Sequence, residues 1–299
     1  MKIYKPCALN EQGERQKQED CIYPSKGDAN ESNRYFLVCD GMGGHEGGEV
    51  ASDVVCEGFA EFLRNIKNPD DFDRSVFERA LNYTYDKLNK ADQSPPDAKK
   101  MGTTLTFLSL NSKGALMAHI GDSRIYHLRK TATNVEICYK SADHSLVNEL
   151  IRAEVITSEE AENHPKKNVI TRVMQPHQER LSKAEIVETA DVGKGDFFFL
   201  CSDGVLEQLT DEKLCAIVAE NTDAEEKINT VRRLCEGGSK DNFSAYLIEI
   251  EEGVPEAPVS APEIPLILDR KKKRKLLYAI IILLIVLLVG SVWILFSNK

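Results

Sequence analysis

Residues 36–48 read FLVCDGMGGHEGG, an apolar run that ends in an aspartate and opens into a loop with five glycines. A second run, FFFLCSDG at residues 197–204, ends in the same way. Such runs are typical of strands buried on both faces, and each would carry a carboxylate, Asp40 or Asp203, to the rim of a core. An Asp-Gly pair after a strand is also a common turn. Its repetition favours a shared chemical role.

Two further aspartates extend this group. Asp20 lies ahead of the first predicted strand, and Asp241 lies in the turn before the last one. Carboxylates gathered at one place repel one another unless cations lie between them. Oxygen ligands without His or Cys favour Mg²⁺ or Mn²⁺, and the eight cysteines contain no CxxC pair of the kind that holds zinc. We therefore predict a hard-metal centre.

The order of the remaining segments indicates an α+β fold. Four strand-like segments follow one another between residues 103 and 139, with connections too short for crossover helices. We expect them to be antiparallel neighbours. Helix-like segments occur in pairs before and after them. This order favours packed antiparallel sheets with helices outside them over a doubly wound parallel sheet.

Charge and hydropathy divide the 299-residue chain into two parts. Residues 1–269 hold all 48 acidic residues and 31 of the 38 basic ones, a net charge of −17, whereas the whole chain carries −10. A body this acidic repels polyphosphate backbones, so we predict no nucleic-acid partner. The amino terminus lacks the apolar segment of a signal peptide. We expect the body to be cytoplasmic.

The carboxyl-terminal segment predicts a membrane anchor. Residues 276–296 form an apolar run without charges, and 21 helical residues span roughly 31 Å, the thickness of a bilayer core. The basic block 270–275 precedes it, so the positive-inside rule places residues 1–275 in the cytoplasm and only 297–299 on the far side. A cleaved lipid-anchor signal would need an exported precursor. We predict a domain at 1–250, a Pro-rich linker and basic block at 251–275, and one transmembrane helix at 276–296.

At this point the motifs resemble a known family. DGMGGH at 40–45, GTT at 102–104, GDSR at 121–124, DHS at 143–145, LCSDG at 200–204 and DN at 241–242 occur in the order seen in the bacterial metal-dependent protein phosphatases (the PPM family, type 2C). The resemblance covers about residues 10–250. It implies a four-layer αββα sandwich of two antiparallel sheets flanked by helices, with two Mn²⁺ or Mg²⁺ ions that activate a hydroxide to hydrolyse phosphoserine and phosphothreonine.

The resemblance also implies roles for individual residues. Asp40 would bridge both ions and Gly41 would offer its carbonyl to one of them. Arg15 would bind the phosphate. Asp20, Asp203 and Asp241 would serve the second ion. Asp122 would help to bind a third, looser ion. For Asp122 a structural turn is an equal alternative.

Some positions leave alternatives open. Met42 stands where eukaryotic members place a histidine proposed as the general acid, as it does in bacterial members, so the proton for the leaving group comes from another source. A pseudophosphatase that only binds is the alternative function, although the candidate ligands are intact. The family implies phosphoproteins as partners, among them a Ser/Thr kinase and its substrates, and the anchor adds the membrane.

Overall fold

A computed structural model describes residues 1–43, 47–93 and 101–254. Within these residues the chain forms twelve strands, seven α-helices and one 3-10 turn (Pro69–Asp71). The strands are β1 (Lys2–Ile3), β2 (Cys7–Glu11), β3 (Asp20–Tyr23), β4 (Tyr35–Met42), β5 (Gly102–Thr103), β6 (Leu105–Asn111), β7 (Gly114–Ile120), β8 (Arg124–Lys130), β9 (Val135–Lys140), β10 (Glu185–Thr189), β11 (Asp196–Cys201) and β12 (Phe243–Glu252). The helices are α1 (Gly47–Leu63), α2 (Arg74–Ala91), α3 (Leu146–Arg152), α4 (Ser158–Glu162), α5 (Asp203–Leu206), α6 (Asp211–Ala219) and α7 (Ala224–Glu236).

The strands form two antiparallel sheets. In sheet I the order is β1-β12-β11-β8-β9, with β2 also paired to β12. In sheet II the order is β10-β7-β6-β4-β3, with β5 also paired to β4. Helices α1 and α2 pack on sheet II, and α6 and α7 pack on sheet I. The predicted pair of antiparallel sheets flanked by helices is confirmed.

The apolar runs of β4 and β11 explain this layering. Alternate side chains of a strand point to opposite faces. In β11, Phe197 and Phe199 pack toward the helices, whereas Phe198 and Leu200 pack against the other sheet. In β4 the odd-numbered Leu37 and Cys39 pack against α1 and α2, and the even-numbered Phe36 and Val38 pack between the sheets. Both strands are therefore central, with an apolar layer on each face.

The strands between residues 103 and 139 depart from the expected arrangement at one point. β6 pairs with β7, and β8 pairs with β9, as predicted. Residues 121–123, however, carry the chain from sheet II to sheet I. Both edges of β7 are already paired, by β6 and β10, so β8 cannot join it. Gly121 makes the crossing with φ +106°, and a Cβ at this position would lie 2.6 Å from Thr104 Cγ2.

The first strands also correct the sequence analysis. Asp20 does not precede the first strand but begins β3, the third one. β1 and β2 were not predicted, because β1 is only two residues long and β2, CALNE, has little apolar character. Asp40 lies within β4, which continues to Met42 because Gly41 and Met42 pair with β5.

Several sequence predictions fall outside the described residues. These are the glycine-loop positions 44–46 with His45, the linker from residue 255 onward, the basic block 270–275 and the transmembrane helix 276–296. Across the part of the chain that is described, none of the helices combines the length and apolar character needed to cross a membrane.

Candidate active site

The first two candidate ligands are neighbours on sheet II. Asp20 of β3 and Asp40 of β4 are register partners in the antiparallel pair. Asp20 is 6% exposed, and its Oδ2 accepts a hydrogen bond of 2.7 Å from Ser202 Oγ. Ser202 precedes Asp203 and follows β11, so this single bond joins the aspartate of sheet II to the end of a strand of sheet I.

The backbone of Asp40 is held on both sides. Its N–H donates to Thr104 Oγ1 at 3.0 Å, and its carbonyl accepts from Thr103 Oγ1 at 2.9 Å and from Thr104 N at 2.9 Å. Thr104 Oγ1 in turn lies 2.7 Å from Ser123 Oγ. The Asp40 side chain therefore projects from a fixed main chain, as a metal ligand requires.

Gly41 is enclosed by its surroundings. Its N–H donates to Glu19 O at 3.0 Å. A Cβ at Gly41 would lie 2.2 Å from Gly48 O and 2.4 Å from Glu19 O. Only glycine fits where β4 passes the start of α1, so the backbone is the only group that this position can offer to a ligand.

Sheet I supplies the other two candidate ligands. Asp203 begins α5 directly after β11, and Asp241 precedes β12 by two residues. The two segments touch at Gly204, where a Cβ would lie 2.0 Å from Asn242 O and 3.2 Å from Asp241 Cβ. The absence of a side chain at Gly204 thus brings the two aspartates together.

Burial and mutual repulsion keep protons on this cluster. Desolvation is the main cause that raises the pKa of Asp20 to about 7, and the carboxylates of Asp203 and Asp241 add to it. Desolvation, followed by the carboxylates of Asp20 and Asp203, raises the pKa of Asp40 well above its usual range. Desolvation, with the carboxylates of Asp241 and Glu207, also raises the pKa of Asp203. A divalent cation would remove the need for these protons.

Asp122 lies beside the same cluster, on the segment that crosses between the sheets. Its Oδ1 is buried and finds no hydrogen-bond partner in the described part of the chain. Desolvation, and then the charge of Asp203, raises the pKa of Asp122 to about 7. An orphaned carboxylate oxygen beside other carboxylates is a suitable cation ligand. The oxygen-only donor set and this orphan show that the residues fit Mn²⁺ or Mg²⁺.

Arg15 lies over the cluster on an exposed loop. Its Nη2 donates to Asp241 Oδ2 at 2.5 Å, and more than half of its side chain, 56%, is exposed. Guanidinium donors favour planar contacts with carboxylate or phosphate oxygens. The side chain is therefore held at the site while most of its donors face solvent.

Asn242 positions the Arg15 loop, a role that sequence reasoning did not assign. Its Oδ1 accepts from Glu19 N at 2.8 Å, and its Nδ2 donates to Gln12 O at 2.7 Å and to Lys17 O at 2.9 Å. The motif DN at 241–242 was the available signal, but these partners lie more than 220 positions away. Ser202 was missed for the same reason.

Arg124 and His144 make structural contacts beside the cluster. Arg124 makes two hydrogen bonds, of 2.6 and 2.7 Å, to the carboxylate of Asp143. His144 exchanges bonds with Gly121: its N–H donates to Gly121 O at 2.9 Å, and its Nδ1 accepts from Gly121 N at 3.1 Å. Both residues brace the loop that carries Asp122.

A second group of possible metal ligands, His119, His144 and Glu185, lies close together. The two imidazoles stack with ring centres 4.4 Å apart. His144 Nδ1 already accepts a hydrogen bond, so in the neutral ring Nε2 carries the hydrogen and has no lone pair for a metal. Arg172 Nη1 also lies 3.3 Å from that nitrogen. These ring orientations do not fit a metal ion, and we assign the group a structural role.

Comparison with known proteins identifies the family. The model of the family described as protein phosphatase 2C matches residues 16–236, which contain all the candidate ligands except Asp241 and begin just after Arg15. The chain belongs to the protein phosphatase 2C family. The predictions of that family and of a metal-dependent protein phosphatase are thereby confirmed.

Relatives and solved structures agree with this assignment. The protein phosphatase PhpP of Streptococcus pneumoniae is 33% identical over 223 residues, which cover 73% of this chain and 86% of PhpP. The serine/threonine phosphatase PstP/Ppp of Mycobacterium tuberculosis has a similar fold, with a TM-score of 0.70 and 28% identity over 84% of this chain and all of that chain. A structure of the catalytic domain of PstP, with a TM-score of 0.68 and 26% identity, covers 84% of this chain and all of that domain, and contains two manganese ions.

Proposed function

We propose that this protein phosphatase 2C hydrolyses phosphoserine and phosphothreonine in proteins with two Mn²⁺ or Mg²⁺ ions held by Asp20, Asp40, Asp203, Asp241 and the carbonyl of Gly41. The observation that carries the proposal is the meeting of aspartates from both sheets: Asp20 and Asp40 are register partners, Ser202 ties Asp20 to the segment of Asp203, and that segment touches Asp241 at Gly204. Asp122 would help to hold a third ion. The two ions in the PstP catalytic domain, and the fold that the chain shares with it, support this number.

The chain's own residues bind and orient the phosphoryl group. When bound, two divalent ions would lower the pKa of the attacking water and would offset charge on the phosphoryl oxygens. Arg15 donates one hydrogen bond to Asp241. Its other guanidinium donors would bind and orient the phosphoryl oxygens. The P–O bond to the serine or threonine oxygen breaks as water adds to phosphorus, and the products are the free hydroxyl and inorganic phosphate. No residue of the chain becomes phosphorylated.

The test is phosphate release from a phosphothreonine peptide by the full chain in non-ionic detergent, with and without Mn²⁺. We expect Mn²⁺-dependent release, and a loss of at least about 10²-fold in kcat for Asp40→Asn and Asp203→Asn. Asp28→Asn is the matched control, because Asp28 is an exposed carboxylate on the β3–β4 connection. A wild-type chain that binds the peptide and releases no phosphate would identify a pseudophosphatase instead.

We further propose that the catalytic domain faces the cytoplasm and is tethered by residues 276–296, with the chain end on the far side. The uncharged 21-residue run and the preceding basic block support this topology. A tether raises the effective concentration of substrates at the membrane, among which a Ser/Thr kinase and its substrates fit the chemistry. A reporter fused after Lys299 tests the topology. Reporter activity on the cytoplasmic side would contradict it.

A further inference from the structure

A groove of about 1090 Å³ lies between α2 and the segment that leads into β10. Its floor is apolar and includes Leu81 and Tyr85, both buried, with Ile186 beside them. Tyr85 Oη donates to Ser182 O at 2.9 Å, which fixes the second wall against the helix. The groove is therefore a built feature of the fold and not a gap between loose loops.

The groove is basic although the protein is acidic. Among the described residues that line it, one is acidic, Glu78, and four are basic: Arg74, Arg172, Arg180 and Lys183. The whole chain, in contrast, carries a net charge of −10. A local excess of positive charge on an acidic protein attracts an anionic partner to that place and repels it elsewhere.

Most of this positive charge is not neutralised within the protein. Arg74 approaches Glu188 at 3.6 Å and donates to Ile186 O at 3.0 Å. Arg180 and Lys183 are exposed and have no ion-pair or hydrogen-bond partner among the described residues. Arg172 Nη1 lies 3.3 Å from His144 Nε2, a nitrogen that carries a hydrogen and so offers no acceptor. These cations are available to a ligand.

The groove is connected to the candidate active site. Arg172, at one end, is two residues from Met174, which exchanges backbone hydrogen bonds with Thr103 at 3.0 and 2.9 Å. Thr103 Oγ1 in turn donates to the carbonyl of Asp40. The wall between Arg172 and Ser182 is closed by Gln178, which bonds to Val173 O and to Ser182. The wall that carries Arg172 is thus ordered, and backbone hydrogen bonds tie it to the strand that carries Asp40.

From these observations we infer that the groove binds an acidic stretch of the substrate polypeptide, rich in Asp and Glu, outside the phosphorylated residue. This inference rests on the proposed phosphatase function and specifies its substrate class. Exposed ion pairs contribute little individually, so the groove would act through several of them together and would weaken as salt rises. The apolar floor would accept the aliphatic parts of the bound stretch.

The test compares two phosphothreonine peptides, one flanked by Asp and Glu and the other by Asn and Gln at the same positions. With the Mn²⁺-loaded full chain we expect a lower KM and roughly fivefold higher kcat/KM for the acidic peptide at low salt. The double variant Arg180→Gln with Lys183→Gln should bring the two peptides close to equality. The control pair, Arg79→Gln with Lys90→Gln, removes the same charge from α2 outside the groove and should preserve the preference.

A second measurement separates this inference from the phosphatase proposal. A labelled acidic peptide without phosphate should bind the metal-free chain, as measured by fluorescence anisotropy, and lose affinity in the Arg180/Lys183 variant but not in the control. If no phosphate is released while this binding occurs, the proposed function fails and the groove assignment stands. Equal kinetics for the two peptides, or an equal loss in both double variants, would overturn the groove assignment. So would capture of the chain by phosphatidylserine vesicles through Arg180 and Lys183 without any peptide binding.

Discussion

Asp20 and Asp40 face each other as register partners across β3 and β4, and the hydroxyl of Ser202 donates a hydrogen bond to Asp20 from the other sheet. Cross-strand partners hold their Cβ atoms about 4.5–5.5 Å apart, and like charges in that position destabilise a sheet. When both carboxylates are ionised and no cation lies beside them, this pair therefore lowers the stability of the folded protein. A substitution that removes one of these two charges should therefore raise the stability of the metal-free protein and lower its affinity for metal.

Asp20→Asn tests this opposition. We expect the metal-free variant to be more stable than the wild type at pH 8, by about 2 kcal/mol, because the substitution removes a desolvated charge whose pKa is raised to about 7. The same variant should bind Mn²⁺ more weakly. Urea unfolding with EDTA and calorimetric Mn²⁺ titration measure the two effects, with Asp28→Asn as the control. A variant that loses stability without metal would contradict the argument.

The metal-free wild type should lose stability as pH rises from about 6.5 to 8. The folded pKa values of Asp20 and Asp122 are raised to about 7, so the folded state holds protons that the unfolded chain has released, and its advantage is lost as pH passes through 7. The lowered pKa values of His119 and His144 act in the opposite direction, but this effect fades as pH rises above about 6.5, where the unfolded histidines lose their charge.

Thermal unfolding in EDTA at pH 6.5, 7.2 and 8 checks this dependence. Saturating Mn²⁺ should abolish the loss, because the bound ions replace the protons. In Asp122→Asn the slope in EDTA should be smaller than in the wild type. A midpoint in EDTA that rises over this range would show that the carboxylates are ionised without metal.

Asn242→Ala should impair substrate binding through the Arg15 loop. The substitution removes three hydrogen bonds that join Asn242 to Gln12, Lys17 and Glu19. We expect KM for a phosphothreonine peptide to rise about tenfold, while Mn²⁺ affinity changes less, because Asp241 remains. Steady-state kinetics measure KM, and Asn65→Ala, an exposed position two residues after the end of α1, serves as control. An unchanged KM would show that the loop is held by other contacts.

Arg124→Lys should destabilise the fold by about 1–2 kcal/mol and leave Mn²⁺-dependent turnover largely intact. Lysine cannot make the two parallel bonds that Arg124 makes to Asp143 in a partly buried position. Urea unfolding of the Mn²⁺-loaded chain reports the loss, with Arg79→Lys as the matched control. If kcat falls by a hundredfold without a change in stability, Arg124 takes part in catalysis.

The features that the sequence predicts correctly are those that a local pattern determines. The apolar runs that lead to Asp40 and Asp203 predicted central strands, and the ordered motifs predicted the family that the comparison confirms. The features that the sequence does not predict are those that depend on contacts between distant parts of the chain. The crossing at Gly121 depends on β10, which takes the free edge of β7, and β10 begins more than 60 residues later. Ser202 and Asn242 gain their roles only from partners at the opposite end of the chain.

The bond between Ser202 and Asp20 has a consequence for the life of the protein in the cell. It joins the two sheets at the edge where Asp20 and Asp40 of one face Asp203 and Asp241 of the other. Ions bound there would hold the two sheets together and stabilise the fold, since any ligand that binds only the folded state stabilises that state. The metal-free protein would then be inactive and would unfold more readily. Proteases degrade proteins through their unfolded or locally opened forms. We therefore expect the abundance of this phosphatase, and not only its activity, to follow the metal supply.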